Sequence, residues 1–171
     1  MASRDVAAHL RACCGAIYEV FGEAAPTMSD DAAVIRAHEL SRAIGERALQ
    51  LRERNPDLDD EPLAIIESVL RGALERDATG ALSLLAMVSI VGPRLLISVH
   101  DARVAVSDDP ALEACFDELA NTLVQQIRRT AQVLGAMDVD EVEWLAWVQD
   151  WSISLEESGN GESFGLSLIH I

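Results

Sequence analysis

Apolar residues recur along most of this chain at intervals of three and four positions, which places them on one face of an α-helix. Three such stripes precede residue 80. The first two comprise Val6, Leu10, Cys13, Ile17 and Val20, followed by Val34, Ala37, Leu40, Ile44, Ala48 and Leu51. The third comprises Leu63, Ile66, Leu70 and Ala73. Each stripe predicts a helix that buries one face against the rest of the protein.

Start and stop signals bound these three helices. The first is predicted over residues 4–21, because Gly22 and Pro26 follow it. The second is predicted over residues 30–54, with Ser29 as its N-cap and Asn55-Pro56 as its end. The third is predicted to begin after the acidic run that ends at Pro62, a residue that suits a first helical turn.

The segment from residue 81 to residue 106 is the most apolar part of the chain and allows two interpretations. Residues 81–91 predict a helix buried on most sides, which Gly92-Pro93 kinks or ends. Residues 95–106 have helical spacing, and we favour a helix there. Their β-branched content is also compatible with a pair of strands.

The last third of the chain predicts two more helices, followed by a segment whose apolar residues no longer have helical spacing. One helix should run from about residue 108 to Gly135, and another should begin near Asp138, where Glu141 stands at capping-box spacing. Residues 151–171 alternate apolar and polar positions around a Gly-Asn-Gly turn, which favours a β-hairpin over a frayed tail. We therefore expect a mainly α fold, a single domain over residues 1–171 formed by a bundle of five to six helices.

Composition restricts the class of partner. The formal net charge is −16, and all 13 basic residues are arginine, which is typical of a GC-rich genome or of adaptation to high salt. Such a chain is repelled by phosphate backbones and anionic membranes, so we expect neither nucleic-acid nor membrane binding. Gly92-Pro93-Arg94 also interrupts the only long apolar stretch, which we interpret as a buried core segment.

The cysteines and histidines do not form a recognisable metal or redox motif. Cys13, Cys14 and Cys115 make an odd, small set, so we expect three reduced thiols in a soluble cytoplasmic protein. His9 and Cys13 stand four residues apart on one helix, but zinc needs three or four ligands. We expect no metal and no cofactor.

Residues 38–42 begin like a zinc-protease motif, with His38 followed by Glu39. Arg42 occupies the position of the second histidine, and that motif needs two imidazoles on one helical face. We therefore expect Glu39 to form an ion pair with Arg36 or Arg42 instead.

The three tryptophans are the most informative side chains. Trp144, Trp147 and Trp151 stand at i, i+3 and i+7, so one helical face carries all the tryptophan of the chain. Core packing would require small residues on a neighbouring helix, for which the alanine-rich second helix is a candidate. The alternative is a pocket wall or an interface. In that case Trp147→Ala should weaken binding or dimerisation more than it lowers stability.

A second candidate site lies in the apolar segment. Arg94 and Asp101 are seven residues apart and share a helical face, next to His100. A buried arginine near an acid is either a structural ion pair or an anchor for an anionic ligand. If the protein is an enzyme, His100, Asp101 and an arginine are the residues that we expect it to use.

These features favour a non-enzymatic regulatory or protein-interaction protein. Its partner would be a protein with a basic surface, bound through Trp144, Trp147 and Trp151 and the acidic surface. The alternative is a helical domain that binds a small apolar ligand in a pocket between residues 81–106 and the helix over 138–151. A catalytic function is the third hypothesis, and no residue is assigned as catalytic. We expect a homodimer.

Overall fold

The computed structural model describes residues 3–56 and 64–158, with the side chains of residues 5–56 and 64–150. The predicted helical bundle is confirmed, and no strand occurs among the described residues. The helices are α1 (Ser3–Ala24), α2 (Asp31–Arg54), α3 (Ala64–Arg76), α4 (Ala81–Ala86), α5 (Gly92–Ala105), α6 (Pro110–Gly135) and α7 (Glu141–Ser158). A 3-10 turn (Ala25–Thr27) follows α1, and a π-helical turn (Met87–Val91) joins α4 to α5.

Aspartate residues are the N-caps of three of these helices. Asp30, not the expected Ser29, caps α2, because its Oδ1 accepts a hydrogen bond from the Ala33 amide at 2.9 Å. Asp109 caps α6 in the same way through the Leu112 amide at 3.1 Å. Asp140, not Asp138, caps α7, and its Oδ1 accepts from the amides of Val142 and Glu143. Each cap satisfies amides that the first helical turn leaves without partners.

Residues 92–105 are helical, so the strand alternative for residues 95–106 is wrong. Gly92-Pro93 does not end the helix, because the π-helical turn precedes it and the Gly92 amide donates to the Met87 carbonyl five residues back. That wider turn accommodates the proline ring, which would collide with a carbonyl in a regular helix. The result is one long helical element from Ala81 to Ala105.

This element, here called the central helix (Ala81–Ala105), forms the middle of the core. It packs against α1, α3 and α6, and its buried residues include Leu82, Leu84, Met87, Ile90, Val91, Leu95 and Val99. By length and composition alone it is long and apolar enough to cross a membrane, and 56% of its most apolar window is buried within the protein. Ile97 and Val104 remain exposed on its outer side.

Helix α2 packs against both α1 and α6, and a buried arginine connects it to α6. Arg36 is only 3% exposed, and its Nη2 donates to Oε1 of Gln126 at 2.5 Å. The expected ion pair with Glu39 is confirmed at 3.3 Å. Burial lowers the pKa of Arg36, with Glu39 opposing the shift. A charge that is desolvated to this degree is held only where partners such as these compensate it.

The C-terminal hairpin is not shown. Its first strand was expected to begin near residue 151, but residues 151–158 continue helix α7. The turn and second strand fall on residues 159–171, which lie outside the described residues.

Gly92 lies where the central helix packs closely against Ile127 of α6, and substituting it should destabilise the fold. A Cβ atom there would lie 2.7 Å from the Met87 carbonyl oxygen and 2.9 Å from the Ile127 side chain. We expect Gly92→Ala to lower the free energy of unfolding by about 1–3 kcal/mol, the usual cost of overpacking, measured by urea denaturation followed by circular dichroism. Gly135→Ala is the control, because its Cβ would meet nothing within 4 Å. Equal stability of the two variants would contradict the packing assigned to Gly92.

Candidate functional site

Two ion pairs and one buried tryptophan hold helix α7 against α3. Arg76 donates to Oε1 of Glu143 at 3.1 Å and also pairs with Asp150. Trp147 is 4% exposed, and its Nε1 would lie 3.6 Å from a Cβ placed on Gly72. Gly72 of α3 is thus a small residue that makes room for the Trp147 ring.

The tryptophans have different environments. The rings of Trp144 and Trp147 are in contact, with centroids 5.2 Å apart and planes inclined by 31°. Trp147 belongs to the core, whereas Trp144 is only half-buried. The side chain of Trp151 lies outside the described residues. Of these two neighbouring rings on α7, Trp147 is therefore a core residue, and Trp144 is a candidate site residue.

Trp144 forms part of the wall of a cavity of about 620 Å³, here called the α6–α7 cavity. It is an open cleft, and three chain segments line it: Leu85 of α4, the carboxyl end of α6 with the following connection, and the beginning of α7. The lining residues are Leu85, Leu134, Gly135, Met137, Asp138, Val139, Glu141, Trp144 and Leu145. A concave, mostly apolar surface of this size falls in the range of small-molecule sites.

The α6–α7 cavity carries negative charge. Its charged lining residues are Asp138 and Glu141, and no basic side chain is among the residues that line it. Helix α6 ends in its wall and has no basic residue in its last turn, so the partial negative charge of that helix end is not offset there. The opposing positive end of α7 is capped by Asp140. These charges together favour a cationic group over an anionic one.

The second sequence-predicted site is not brought together in the same way. His100 and Asp101 are exposed on the outer side of α5, and neither lines the α6–α7 cavity. Arg94 is half-buried at the start of α5, and burial lowers its pKa. Neither the α6–α7 cavity nor the cavity between α1 and α2 described below is lined by Arg94, His100 or Asp101.

His9 and Cys13 are neighbours on α1, with 3.7 Å between Nε2 and Sγ. Burial lowers the pKa of His9 and raises that of Cys13. Within the described part of the chain, no group of three or more His, Cys, Asp or Glu residues is placed to hold a metal ion.

A second cavity, of about 530 Å³, lies between α1 and α2, and sequence reasoning did not identify it. Three of its lining residues are Arg11, Arg42 and Arg52, which are spread over two helices and form no motif. The available signal was weak: Arg42, Gly45, Leu49 and Arg52 recur at helical spacing beside the buried stripe of α2.

No family model, curated protein or solved structure matches this chain.

The burial of all three cysteines predicts slow thiol chemistry in the native protein. Cys13, Cys14 and Cys115 are free and buried, and burial raises the pKa of Cys14 to about 12. Because the thiolate is the reactive form, we expect little reaction with an aromatic disulfide reagent at pH 8 until the protein opens. In denaturant, without reductant, three thiols per chain should react. Rapid native reaction, or fewer than three thiols in denaturant, would contradict this prediction.

The two described tryptophans should respond differently to truncation. We expect Trp147→Ala to lower the free energy of unfolding by about 3–5 kcal/mol, the usual cost of emptying an aromatic core position. Trp144→Ala should cost clearly less, because that ring already borders a cavity. Urea denaturation of both variants, followed by circular dichroism, gives the comparison. Equal losses would show that Trp144 is a core residue and not a cavity wall.

Proposed function

We propose that this protein is a non-enzymatic binding protein that takes a small organic cation with an apolar body into the α6–α7 cavity. The observation that carries the proposal is the composition of that cavity, in which Trp144 and aliphatic side chains accompany Asp138 and Glu141 without a basic residue. The proposal keeps the small-ligand alternative that was derived from the sequence and adds that the ligand carries a positive charge.

The chemistry of the lining residues supports a cation. An indole face attracts an ammonium group through its quadrupole, by about 0.5–2 kcal/mol depending on desolvation. Carboxylates at the same cavity add a longer-range attraction. Met137, Leu85 and Leu134 supply apolar surface for the body of the ligand. A quaternary ammonium or protonated amine joined to an alkyl or ring system combines these requirements.

A protein partner remains the second candidate, and a different observation favours it. Val142 and Leu145 are 78% and 63% exposed on α7, beside the same acidic residues. Exposed apolar side chains surrounded by acids suit a basic amphipathic helix. We prefer the small ligand because Trp147 is buried, so the three tryptophans do not form one exposed surface on which a protein partner could bind.

The cellular setting and assembly state belong to the same proposal. Three free, buried cysteines support a reducing cytoplasmic compartment. The net charge of −16 supports a protein that does not bind nucleic acid or anionic membranes. Exposed Ile97 and Val104 on the central helix are compatible with the expected homodimer, which light scattering would test.

Octyltrimethylammonium, used below its micelle concentration, is the probe for the cavity. We expect it to bind with a stoichiometry of one by calorimetry and to change the tryptophan emission, because Trp144 borders the site. Asp138→Asn combined with Glu141→Gln should weaken binding by about tenfold, which corresponds to about 1.4 kcal/mol. The neutral probe 1-octanol should bind more weakly to the wild type and should be insensitive to this double substitution.

Two controls separate charge, cavity and outer surface. Glu53→Gln combined with Asp108→Asn makes the same change in net charge at exposed positions that line neither cavity, and should leave the affinity unchanged. Val142→Ser alters the outer face of α7 and should also leave it unchanged, whereas a basic peptide partner would lose affinity. The proposal fails if octyltrimethylammonium does not bind, or if the cavity and control double variants weaken it equally.

A further inference from the structure

The outer side of α5 carries a small, partly apolar patch. Ile97 and Val104 are 60% and 71% exposed, and His100 and Asp101 are exposed between them. Positions three, four and seven residues apart share one side of a helix, so these four side chains form one surface, here called the α5 face. The two aliphatic side chains lie about 10 Å apart along the helix axis, with one imidazole and one carboxylate between them.

The order of residues on the α5 face makes it complementary to itself. A second copy with its α5 antiparallel to the first, related by a two-fold axis midway between positions 100 and 101, brings Ile97 opposite Val104. The same axis brings His100 opposite Asp101. Each contact then occurs twice, because a two-fold interface repeats every contact. An imidazole donates a ring N–H to a carboxylate in either of its charge states, so the polar pair does not depend on a charged histidine.

Other pairs of exposed apolar side chains among the described residues lack this complementarity. Ile35 and Leu49 of α2 are exposed, but Arg42 stands midway between them, and a two-fold axis there would bring the arginines of two copies together. Val142 and Leu145 of α7 lie among acids, so two copies of that surface would repel each other. In a chain with a formal charge of −16, the α5 face is therefore the better surface for association with a second copy.

We infer that two copies of this chain associate through the α5 face, with antiparallel α5 helices in the register that pairs Ile97 with Val104 and His100 with Asp101. This inference rests on the homodimer proposed above and assigns its surface and orientation. It is independent of the proposed cation site, because none of the four residues lines the α6–α7 cavity. One helix face buries less area than an interface of standard size, so the dimer should dissociate on dilution.

Light scattering over a concentration series measures this association. We expect a monomer–dimer equilibrium in the wild type. Ile97→Ser should raise the dissociation constant by at least about tenfold, because the two-fold axis removes the apolar contact twice. Ile35→Ser is the matched control, since Ile35 is also 60% exposed but lies on α2, and it should leave the dissociation constant unchanged. A dimer that responds equally to both substitutions, or to neither, overturns the inference.

An exchange of the two polar residues tests their pairing. His100→Asp should dissociate the dimer, because it sets a second carboxylate against Asp101 of the other copy. Adding Asp101→His to that variant should restore association, because an acid and an imidazole again face each other. Circular dichroism should show the same helix content in both variants, since both positions are exposed. If the double substitution associates no better than His100→Asp alone, the pairing is wrong.

Cysteine cross-linking tests the direction of the two helices. Ile97→Cys and Val104→Cys are prepared as separate chains and treated with a short bismaleimide. A mixture of the two variants should cross-link, and either variant alone should cross-link far less, because position 97 meets position 104 in the antiparallel register. The wild type should give little product, since Cys13, Cys14 and Cys115 are buried. Cross-linking of each variant alone as efficiently as the mixture would exclude this register.

The outcomes separate this inference from the proposals that precede it. A dimer that is insensitive to substitutions on the α5 face keeps the homodimer proposal and overturns the inference. A monomer at every concentration overturns both. Neither outcome affects the cation proposed for the α6–α7 cavity, which depends on octyltrimethylammonium binding and on Asp138 and Glu141.

Discussion

Burial of the central helix is the constraint on which the rest of this structure depends. It is the most apolar long helical element among the described residues, and its packing against α1, α3 and α6 removes much of that apolar surface from solvent. Aromatic residues make up only 4% of the sequence, so aliphatic side chains have to fill the core through close helix contacts. Gly92 against α6 and Gly72 beneath Trp147 are two points where the absence of a side chain permits such a contact.

Several arginines form ion pairs between helices. Arg47 pairs with Glu118, Arg71 with Glu23, and Arg103 with Asp117, which connects α2 to α6, α3 to α1 and α5 to α6. Each partly exposed pair contributes at most about 1 kcal/mol. Their combined effect is to place acids beside the few available cations in a chain that otherwise repels itself.

The helices could be predicted because the buried face of each helix appears in the sequence as apolar residues spaced three and four positions apart. Their first residues were less predictable, since Ser29 and Asp30 are both good caps and only the folded backbone selects between them. Contacts between distant residues left no local signal. Arg36 and Gln126 are 90 positions apart, and nothing in either neighbourhood identifies the other.

The same reason explains why the sequence predicted a pocket between residues 81–106 and the helix over 138–151 but not the contribution of α6 to it. The α6–α7 cavity needs Leu85, the connection after α6 and the start of α7 to meet, and periodicity gives only the approximate faces of the helices that contribute. The spacing of the tryptophans correctly placed Trp144 and Trp147 next to each other on one face of a helix. It did not distinguish Trp147, which fits over Gly72, from Trp144, which borders the cavity.

The π-helical turn has a consequence for the evolution of the chain. A turn of this kind contains one residue more than the α-helical path would need. Deleting a single residue within Met87–Val91 would leave the number of residues that a regular α-helix needs, so the later residues of the element would keep their rotational register. Leu95 and Val99 would stay in the core, and the cost of the deletion would be the loss of the wider turn before Pro93. A one-residue deletion elsewhere in the element would rotate every later residue by about 100°, so the π-helical turn is the point at which a change of length by one residue should be tolerated best.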